Sequence, residues 1–129
     1  MTISREAFQE WLQDYGAAWE GRNPEAAAEL FSHDARYYWT PFEEPKEGRE
    51  AIAAAWREAT FRQHDVSFSY QILAVVGATG IARWHTSLRR KTADRQVELD
   101  GILSATFSGD SLCRVFREWW HSKEEVIGE

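Results

Sequence analysis

The sequence of 129 residues is short of cysteine, proline and long apolar runs, and each shortage excludes a class of protein. The single cysteine, Cys113, excludes an internal disulfide and indicates a reducing compartment. No apolar run is long enough to span a bilayer, and residues 1–6 lack the basic and apolar regions of a signal peptide. We therefore expect a soluble, cytoplasmic protein without a membrane partner.

Basic residues and ligand-binding motifs are also scarce. The chain has 15 Lys and Arg against 21 Asp and Glu, a formal net charge of −6. Because nucleic-acid affinity depends on neutralising phosphates, we expect no nucleic-acid partner. The four histidines lack the spacing of zinc ligands, and the sequence has no glycine-rich phosphate loop or nucleophile elbow. Neither a metal site nor a cofactor is expected.

One local cluster differs from this acidic background. Arg89, Arg90, Lys91 and Arg95 stand together at the tip of a predicted hairpin. Such charges usually form a solvated turn, and the alternative interpretation is a binding site for an acidic group.

Aromatic residues, in contrast, are abundant: they make up 14% of the chain and include seven tryptophans. The length predicts one domain, 1–129, with a core at about 5–121 and a polar, frayed tail at 122–129. About two-thirds of the unfolded surface can be buried at this size. The large rings could fill a core or line a cavity, and composition leaves both alternatives open.

The first half of the chain carries the signals of helices. Apolar residues at spacings of three and four predict a first helix that is capped by Ser4 and ends at Gly21. Asn23 and Pro24 predict the start of a second helix, and a third helix follows Gly48. A short strand at 35–39 is expected between the second and third helices.

The second half predicts strands at about 63–76, 81–92, 95–107 and 112–121. A change of parity near Ile72 and Leu73 predicts a β-bulge, which curls a sheet. A two-residue turn at Ala93-Asp94 and a four-residue loop at 108–111 would align Trp84 with Leu103 and Gly101 with Glu118. The predicted fold class is α+β: a cone-shaped roll with three N-terminal helices packed in a strongly curved, mainly antiparallel sheet.

One acid falls among the apolar residues of this sheet. Alternation places Phe116, Glu118 and Trp120 on one face. An unpaired carboxylate is costly to bury, so a ligand-holding sheet has more use for it than a plain core. The alternative is a solvated carboxylate at the mouth of the cone, or one that is paired with Arg114 or with a helix residue.

Several short sequences resemble the nuclear transport factor 2-like superfamily. They are Tyr15-x-x-x-Trp19-x-Gly21, Leu30-Phe31-x-x-Asp34-Ala35, Gly48-Arg49-Glu50-Ala51-Ile52 and Glu118-Trp119-Trp120. They cover about residues 5–121 in order, and the chain most resembles the SnoaL-like branch. The resemblance implies a cone-shaped fold with an apolar pocket, commonly dimeric. It implies no single chemistry, because isomerases, cyclases, dehydratases, transport adaptors and non-catalytic binders share it.

The ketosteroid isomerases of this superfamily allow a residue-by-residue comparison. Their oxyanion-donating tyrosine falls on Tyr15, and a pocket aromatic falls on Trp120. Their general base falls on Trp39 and their second acid on Leu103, neither of which carries a carboxylate. Since enolisation needs a base at the substrate carbon, steroid isomerisation by that mechanism is not expected.

These arguments give two function classes. The first is a small-molecule enzyme, an isomerase, cyclase or dehydratase on an apolar substrate, with Glu118 and Tyr15 as catalytic candidates. The second is a non-catalytic ligand-binding or interaction domain whose cone is filled by aromatic side chains. The ligand-binding candidates are Trp39, Trp56, Trp84, Trp120, Phe68, Tyr70, Leu103, Phe116 and His64. For Tyr15 and the tryptophans the alternative is plain core, and for His64 it is an exposed position.

The outer face of the sheet predicts a homodimer. Alternation places Ile81, Ile102, Val115 and Trp119 on the face that points away from the pocket. Apolar side chains that are grouped on a solvent-facing surface commonly mark an interface.

Overall fold

The computed structural model describes residues 2–91 and 94–126. The described helices are α1 (Arg5–Glu20), α2 (Pro24–Ala28) and α3 (Gly48–Thr60). The described strands are β1 (Phe31–Tyr38), β2 (Lys46–Glu47), β3 (Gln63–Val76), β4 (Thr79–Arg90), β5 (Arg95–Phe107) and β6 (Cys113–Val126). They form a curved, open sheet in the order β2-β1-β6-β5-β4-β3. None of the described helices is long and apolar enough to cross a membrane.

The α+β fold predicted from the sequence is confirmed. Strands β3 to β6 pair antiparallel in chain order, as the hairpin argument predicted. β1 lies parallel to β6, which makes the sheet mixed, and the two-residue β2 pairs with the outer edge of β1. The parallel pairing could not be predicted from hairpins, because β1 and β6 come from opposite ends of the chain.

Local capping sets the helix boundaries. The Ser4 hydroxyl accepts a hydrogen bond from the Ala7 N–H at 3.0 Å, and α1 ends at Gly21. The Asn23 side chain accepts from Ala26 at 3.1 Å, with Pro24 in the first helical position of α2. These caps satisfy backbone donors that have no partner inside the helix, so the predicted helix starts are confirmed.

A β-bulge interrupts β3 where the parity of its side chains changes. The pairing with β4 shifts between Ile72 and Ala74, so Leu73 is the additional residue and is 49% exposed. Val75 then packs against the core on the same side as Ile72. The predicted bulge is confirmed, and it lets both halves of a long strand contribute apolar side chains to the interior.

The predicted strand registers are wrong by two residues in each of the last two hairpins. Arg90 pairs with Arg95, so the connection spans 91–94 instead of the predicted two-residue turn at Ala93-Asp94, of which Ala93 lies outside the described residues. This moves Trp84 from Leu103 to Gly101.

In the last hairpin the loop is one residue longer than predicted, because Phe107 pairs with Cys113. A bulge after that pair then sets Thr106 opposite Val115 and adds a second residue to the shift. A shift of two residues changes each partner but keeps every side chain on its face.

β6 continues beyond its predicted end. Residues 122–126 pair with the start of β5, and Val126 lies opposite Arg95. Glu124 accepts a hydrogen bond from Arg90 at 2.8 Å, and Lys123 lies 3.2 Å from Glu98. The predicted frayed tail is therefore wrong for 122–126, where cross-strand charges replace apolar contacts, and residues 127–129 lie outside the described part.

Aromatic side chains pack densely on the inner face of the sheet. Its fully buried rings are Phe8, Tyr15, Phe31, Tyr37 and Phe116. α1 crosses this face closely enough that a Cβ on Gly16 would meet the ring of Phe68 at 2.6 Å. The glycine thus permits a close contact between helix and sheet, and the aromatic interior forms around it.

Candidate functional site

Glu118 lies on the inner face of β6 with 6% of its surface exposed. It is opposite Leu103 on β5, not opposite Gly101 as the predicted register had it. Gly101 instead lies opposite Trp120, and a Cβ there would collide with the backbone oxygen of Trp119. Because the two-residue difference preserves the face, the carboxylate points inward in the structure as in the prediction.

Two tyrosine hydroxyls extend from this carboxylate into the interior. The parallel pairing of β1 with β6 sets Tyr37 beside Phe116, one inward position before Glu118. The Tyr37 hydroxyl donates to Glu118 Oε1 at 3.5 Å, the long end of the hydrogen-bond range, and lies 3.0 Å from the Tyr15 hydroxyl. α1, β1 and β6 together therefore build a buried Tyr15–Tyr37–Glu118 chain.

Burial controls the ionisation of all three groups. Loss of hydration raises the pKa of Glu118 from its ordinary 4.5 to about 8, and the hydrogen bond from Tyr37 offsets part of this rise. Burial, reinforced by the Glu118 charge, raises the pKa of Tyr15 and of Tyr37 well above 10. At neutral pH the side chains of Tyr15, Tyr37 and Glu118 are therefore mainly uncharged, with a carboxylic acid next to two phenols.

A small cavity of about 30 Å³ adjoins the side chains of Tyr15, Tyr37 and Glu118. It is lined by Tyr15, Trp19, Tyr37, Trp39, Trp56, Ala59, Thr60, Gln63 and Glu118. This volume is close to that of one water molecule, whereas ligand pockets commonly measure about 300–1,000 Å³. In this conformation the aromatic side chains fill most of the interior of the cone.

The cavity wall includes polar groups that sequence reasoning missed. Trp19 Nε1 donates to Gln63 Oε1 at 2.9 Å, and the amide NH₂ of Gln63 has no hydrogen-bond partner in 2–91 or 94–126. The indole N–H of Trp56 favours ionisation of the Tyr37 hydroxyl but has no acceptor within hydrogen-bond geometry among the described residues. The helical spacing of Trp19 did place it on the apolar stripe of the first helix, and alternation along β1 could have indicated the inward direction of Tyr37; for Gln63 no such signal existed.

The parity of His64 with Val66 and Phe68 predicted a position at the rim, with an exposed position as the alternative, and in the structure His64 lies opposite the exposed Arg89 on β4. A second bulge lies between His64 and Ser67, where Asp65 has a φ of 53°. Gln63 is consequently the buried residue that lines the cavity. His64 is half-buried, with its Nδ1 3.3 Å from the carboxylate of Asp65.

The other ligand-binding candidates divide between cavity and core. Trp39 and Trp56 line the cavity, together with the catalytic candidates Glu118 and Tyr15. Phe116 stacks between Tyr15 and Tyr37, with ring centroids 5.5 and 4.6 Å away. The remaining candidates pack on the core without lining the cavity: Phe68, Tyr70, Trp84, Leu103 and Trp120. Ligand contact by these residues stays a prediction.

An open groove of about 830 Å³ lies outside the cavity, between α3 and the ends of β1 and β4. Trp39 and Ala59 line both spaces, so they form the wall between them. The Trp39 ring packs on Tyr37 at 5.2 Å, and its backbone carbonyl accepts from Trp120 Nε1 at 3.1 Å. The Trp39 backbone is thus anchored, while its half-buried side chain closes the cone.

The sequence model of the family described as SnoaL-like domain matches residues 12–115. This range includes α1 from its second turn, α2, α3 and strands β1 to β5. No curated protein sequence matches the chain.

Solved structures with low sequence identity share the fold. The epoxide hydrolase/cyclase-like enzyme SalBIII, described for pyran ring formation in the polyether salinomycin, is 14% identical with a TM-score of 0.79, over 92% of this chain and 93% of that one. A Bacillus subtilis protein proposed to be an isomerase is 18% identical with a TM-score of 0.79, over 90% and 87%. A computationally designed 17-OHP binder is 12% identical with a TM-score of 0.79, over 91% and 96%.

Proposed function

The chain belongs to the SnoaL-like domain family, and from this premise we propose that it is an acid–base enzyme acting on an apolar small molecule at Glu118. The reaction class is isomerisation, cyclisation or dehydration. The observation that carries the proposal is a carboxyl that is buried, has a pKa raised to about 8 and faces a cavity. Carboxyls with such pKa values in clefts are characteristic of acid–base sites.

Because Glu118 is mainly protonated at neutral pH, the first step of the proposed reaction is the donation of its proton. At pH 7 most Glu118 side chains carry a proton, which the acid donates to an oxygen of the substrate. The resulting carboxylate accepts the hydrogen bond from Tyr37, which lowers the cost of its buried charge. It then removes a proton from an adjacent substrate carbon and becomes the acid again, so that one proton is given and one is taken in each cycle.

The two tyrosines support this proton transfer in different ways. Tyr37 contacts the reacting carboxyl directly, and Tyr15 lies behind it at 3.0 Å. With their pKa values raised well above 10, both remain protonated and keep a hydrogen to donate. We assign Tyr37 to stabilising the Glu118 carboxylate and Tyr15 to orienting Tyr37 while presenting its own side chain to the cavity.

The cavity wall favours an apolar substrate with few polar atoms. Aromatic rings make up most of the wall, and we assign the amide of Gln63 and the indole N–H of Trp56 as donors to a substrate oxygen. The enzymatic neighbours, described as cyclase-like and as a proposed isomerase, support this reaction class by analogy of fold. A substrate needs more than 30 Å³, and we assign its entry to a movement of the Trp39 side chain, which lines both the cavity and the open groove.

The test compares Glu118→Gln with Glu10→Gln, the same change at an exposed position on α1. Apolar ring compounds that carry a carbonyl or hydroxyl group are screened for a rise in melting temperature, and those that bind are assayed for conversion by mass spectrometry. We expect the Glu118 variant to bind such compounds without converting them and the Glu10 variant to convert them normally. Unchanged conversion by the Glu118 variant would refute the proposed role.

A non-catalytic binding or interaction domain is the second candidate, and the small volume of the cavity favours it. Aromatic rings that fill the cone leave space for about one water molecule. On this alternative neither the wild type nor Glu118→Gln converts any compound of the screen. The two candidates therefore differ in the conversion assay, not in the fold.

A further inference from the structure

The open groove outside Trp39 has a charge opposite to that of the whole protein. Its lining contains four cations, Lys46, Arg57, Arg62 and Arg90, and two carboxylates, Glu43 and Glu58. The chain as a whole has a formal charge of −6. An excess of positive charge in a concave surface of an acidic protein attracts small anions locally, where the protein's average field would repel them.

Three of the four cations come from two parts of the fold, the end of α3 and the end of β4, that a backbone contact joins; Lys46 belongs to β2. Arg57 belongs to α3, Arg62 follows its end, and Arg90 ends β4 at the basic hairpin tip. The Lys91 N–H donates to the Arg62 carbonyl at 2.8 Å, which holds the residue after β4 against the end of α3. Arg90, from the basic cluster of the sequence, and the cations at the end of α3 therefore form a single basic edge of the groove.

Two carboxylates from outside the groove each pair with one of its cations and formally offset the excess of two positive charges. Arg57 lies 2.6 Å from Glu25, and Arg90 lies 2.8 Å from Glu124. The Arg57–Glu25 pair is exposed and the Arg90–Glu124 pair is partly exposed, and such surface pairs are weak enough to exchange for a ligand. For Arg62, no carboxylate within 4.0 Å is found in 2–91 or 94–126.

Aromatic surface lies next to these cations. Phe61 is 72% exposed at the end of α3 and lines the groove, as does Trp39. Between them the α3 surface is formed by small side chains, Ala54, Ala55 and Ala59. An exposed phenylalanine beside a groove of small residues provides a flat apolar surface on which a ring can lie.

We propose that this groove binds the anionic group of the ligand, while the apolar part of the same ligand reaches Glu118 past Trp39. The inference rests on the proposed function and narrows its substrate class to apolar, ring-containing molecules that carry a carboxylate, sulfonate or phosphate. Arginine suits this role because its planar fork can donate two hydrogen bonds to one such group.

Two fluorescent probes with the same rings test the proposal: anilinonaphthalene sulfonate, which carries an anionic group, and N-phenylnaphthylamine, which is neutral. Each is titrated into the full chain at low and at high salt. We expect the sulfonate to bind more tightly at low salt and to lose this advantage at high salt, because screening weakens exposed charge pairs.

Two variants locate the binding, and one serves as a control. Arg62→Gln removes a groove cation, and Ala54→Glu adds a carboxylate at an exposed groove position of α3. Each should weaken sulfonate binding by about threefold to fivefold, the upper range for an exposed ion pair, and leave the neutral probe unchanged. Arg5→Gln makes the same charge change on α1, near the Gly77 turn at the opposite end of the sheet, and should change neither.

The outcomes separate this inference from the proposed function. Equal binding of the two probes, with no effect of Arg62→Gln or Ala54→Glu, would overturn the anionic site and leave the apolar site intact. Failure of both probes to bind at either salt concentration would overturn the proposed function and the anionic site together. A sulfonate preference that Arg5→Gln removes as strongly as Arg62→Gln would assign the effect to overall charge and reject the groove.

Discussion

Tyr37 and Glu118 are 81 residues apart in the chain, yet the Tyr37 hydroxyl lies 3.5 Å from the Glu118 carboxylate. The parallel pairing of β1 and β6 produces this contact, because it sets inward residues of the two strands beside each other. The contact connects the single buried acid of the described structure to a second hydroxyl, that of Tyr15. The chemistry proposed for the protein depends on this connection.

The first prediction concerns the pH dependence of stability. A carboxyl whose pKa is 4.5 when unfolded and about 8 when folded holds its proton more tightly in the folded state. The stability that it contributes is therefore fully present below pH 4.5 and is lost as the pH rises to about 8. Between pH 5 and 8 we expect the free energy of unfolding to decline by on the order of 3 kcal/mol.

Denaturant unfolding of the wild type and of Glu118→Gln measures this decline. The amide has no proton to lose, so the variant should lack it and should be more stable than the wild type at pH 8. The Glu10→Gln control should follow the wild type. Parallel pH profiles of the wild type and Glu118→Gln would show that the carboxyl has an ordinary pKa.

The second prediction concerns Tyr37→Phe. Its hydroxyl favours the ionised form of Glu118, so its loss should move the Glu118 pKa further upward. Turnover of any substrate should fall about ten- to a hundredfold, the range for losing a hydrogen bond to a charged group. Carbon-13 NMR of labelled glutamate side chains measures the pKa.

Tyr38→Phe provides the matched control. Tyr38 follows Tyr37 on β1 but faces Arg117, whose guanidinium carbon lies 3.9 Å from the ring centroid. Tyr38→Phe should leave the pKa of Glu118 unchanged. A Tyr37→Phe titration identical to that of the wild type would remove Tyr37 from the proposed proton chemistry.

The third prediction concerns Trp39 as the wall between groove and cavity. Trp39→Ala should join the two spaces, because Trp39 lines both. We expect faster and tighter binding of apolar ring compounds, with a stability loss of about 1–2 kcal/mol for a half-buried side chain. Stopped-flow fluorescence measures the association rate, and Phe42→Ala, at a residue that is 97% exposed, is the control. Unchanged association rates would place the entrance elsewhere.

The fourth prediction is the homodimer, which we propose to form through the outer face of the sheet. Trp119 is 45% exposed there and pairs with Ile102 on β5. In a two-fold interface each such patch contacts its own copy, so Trp119→Glu should place like charges together and yield monomers. Sedimentation at micromolar concentration measures the assembly, with Phe42→Glu as the control. A wild-type monomer would contradict the proposal.

Local rules predicted much of this fold, because its helices and hairpins depend on neighbours in the chain. Ser4 and Asn23 cap helices through residues three positions away, and the parity change at Leu73 marked a bulge. Alternation also predicted the face of Glu118, since side chains in a strand alternate whatever the partner strand is. Even the two-residue register errors left that face unchanged.

The sequence by itself thus determined the fold class, the helix starts and the inward direction of Glu118, all of which follow from short-range geometry. Tertiary structure decided the partner of that acid, because the pairing of β1 with β6 brings Tyr37 to it from the first half of the chain. Tertiary structure also placed Gln63, and not His64, at the cavity, through a bulge between His64 and Ser67 that no local signal marked. Finally, it decided how little space remains in the cone, since a cavity is what long-range packing leaves unfilled.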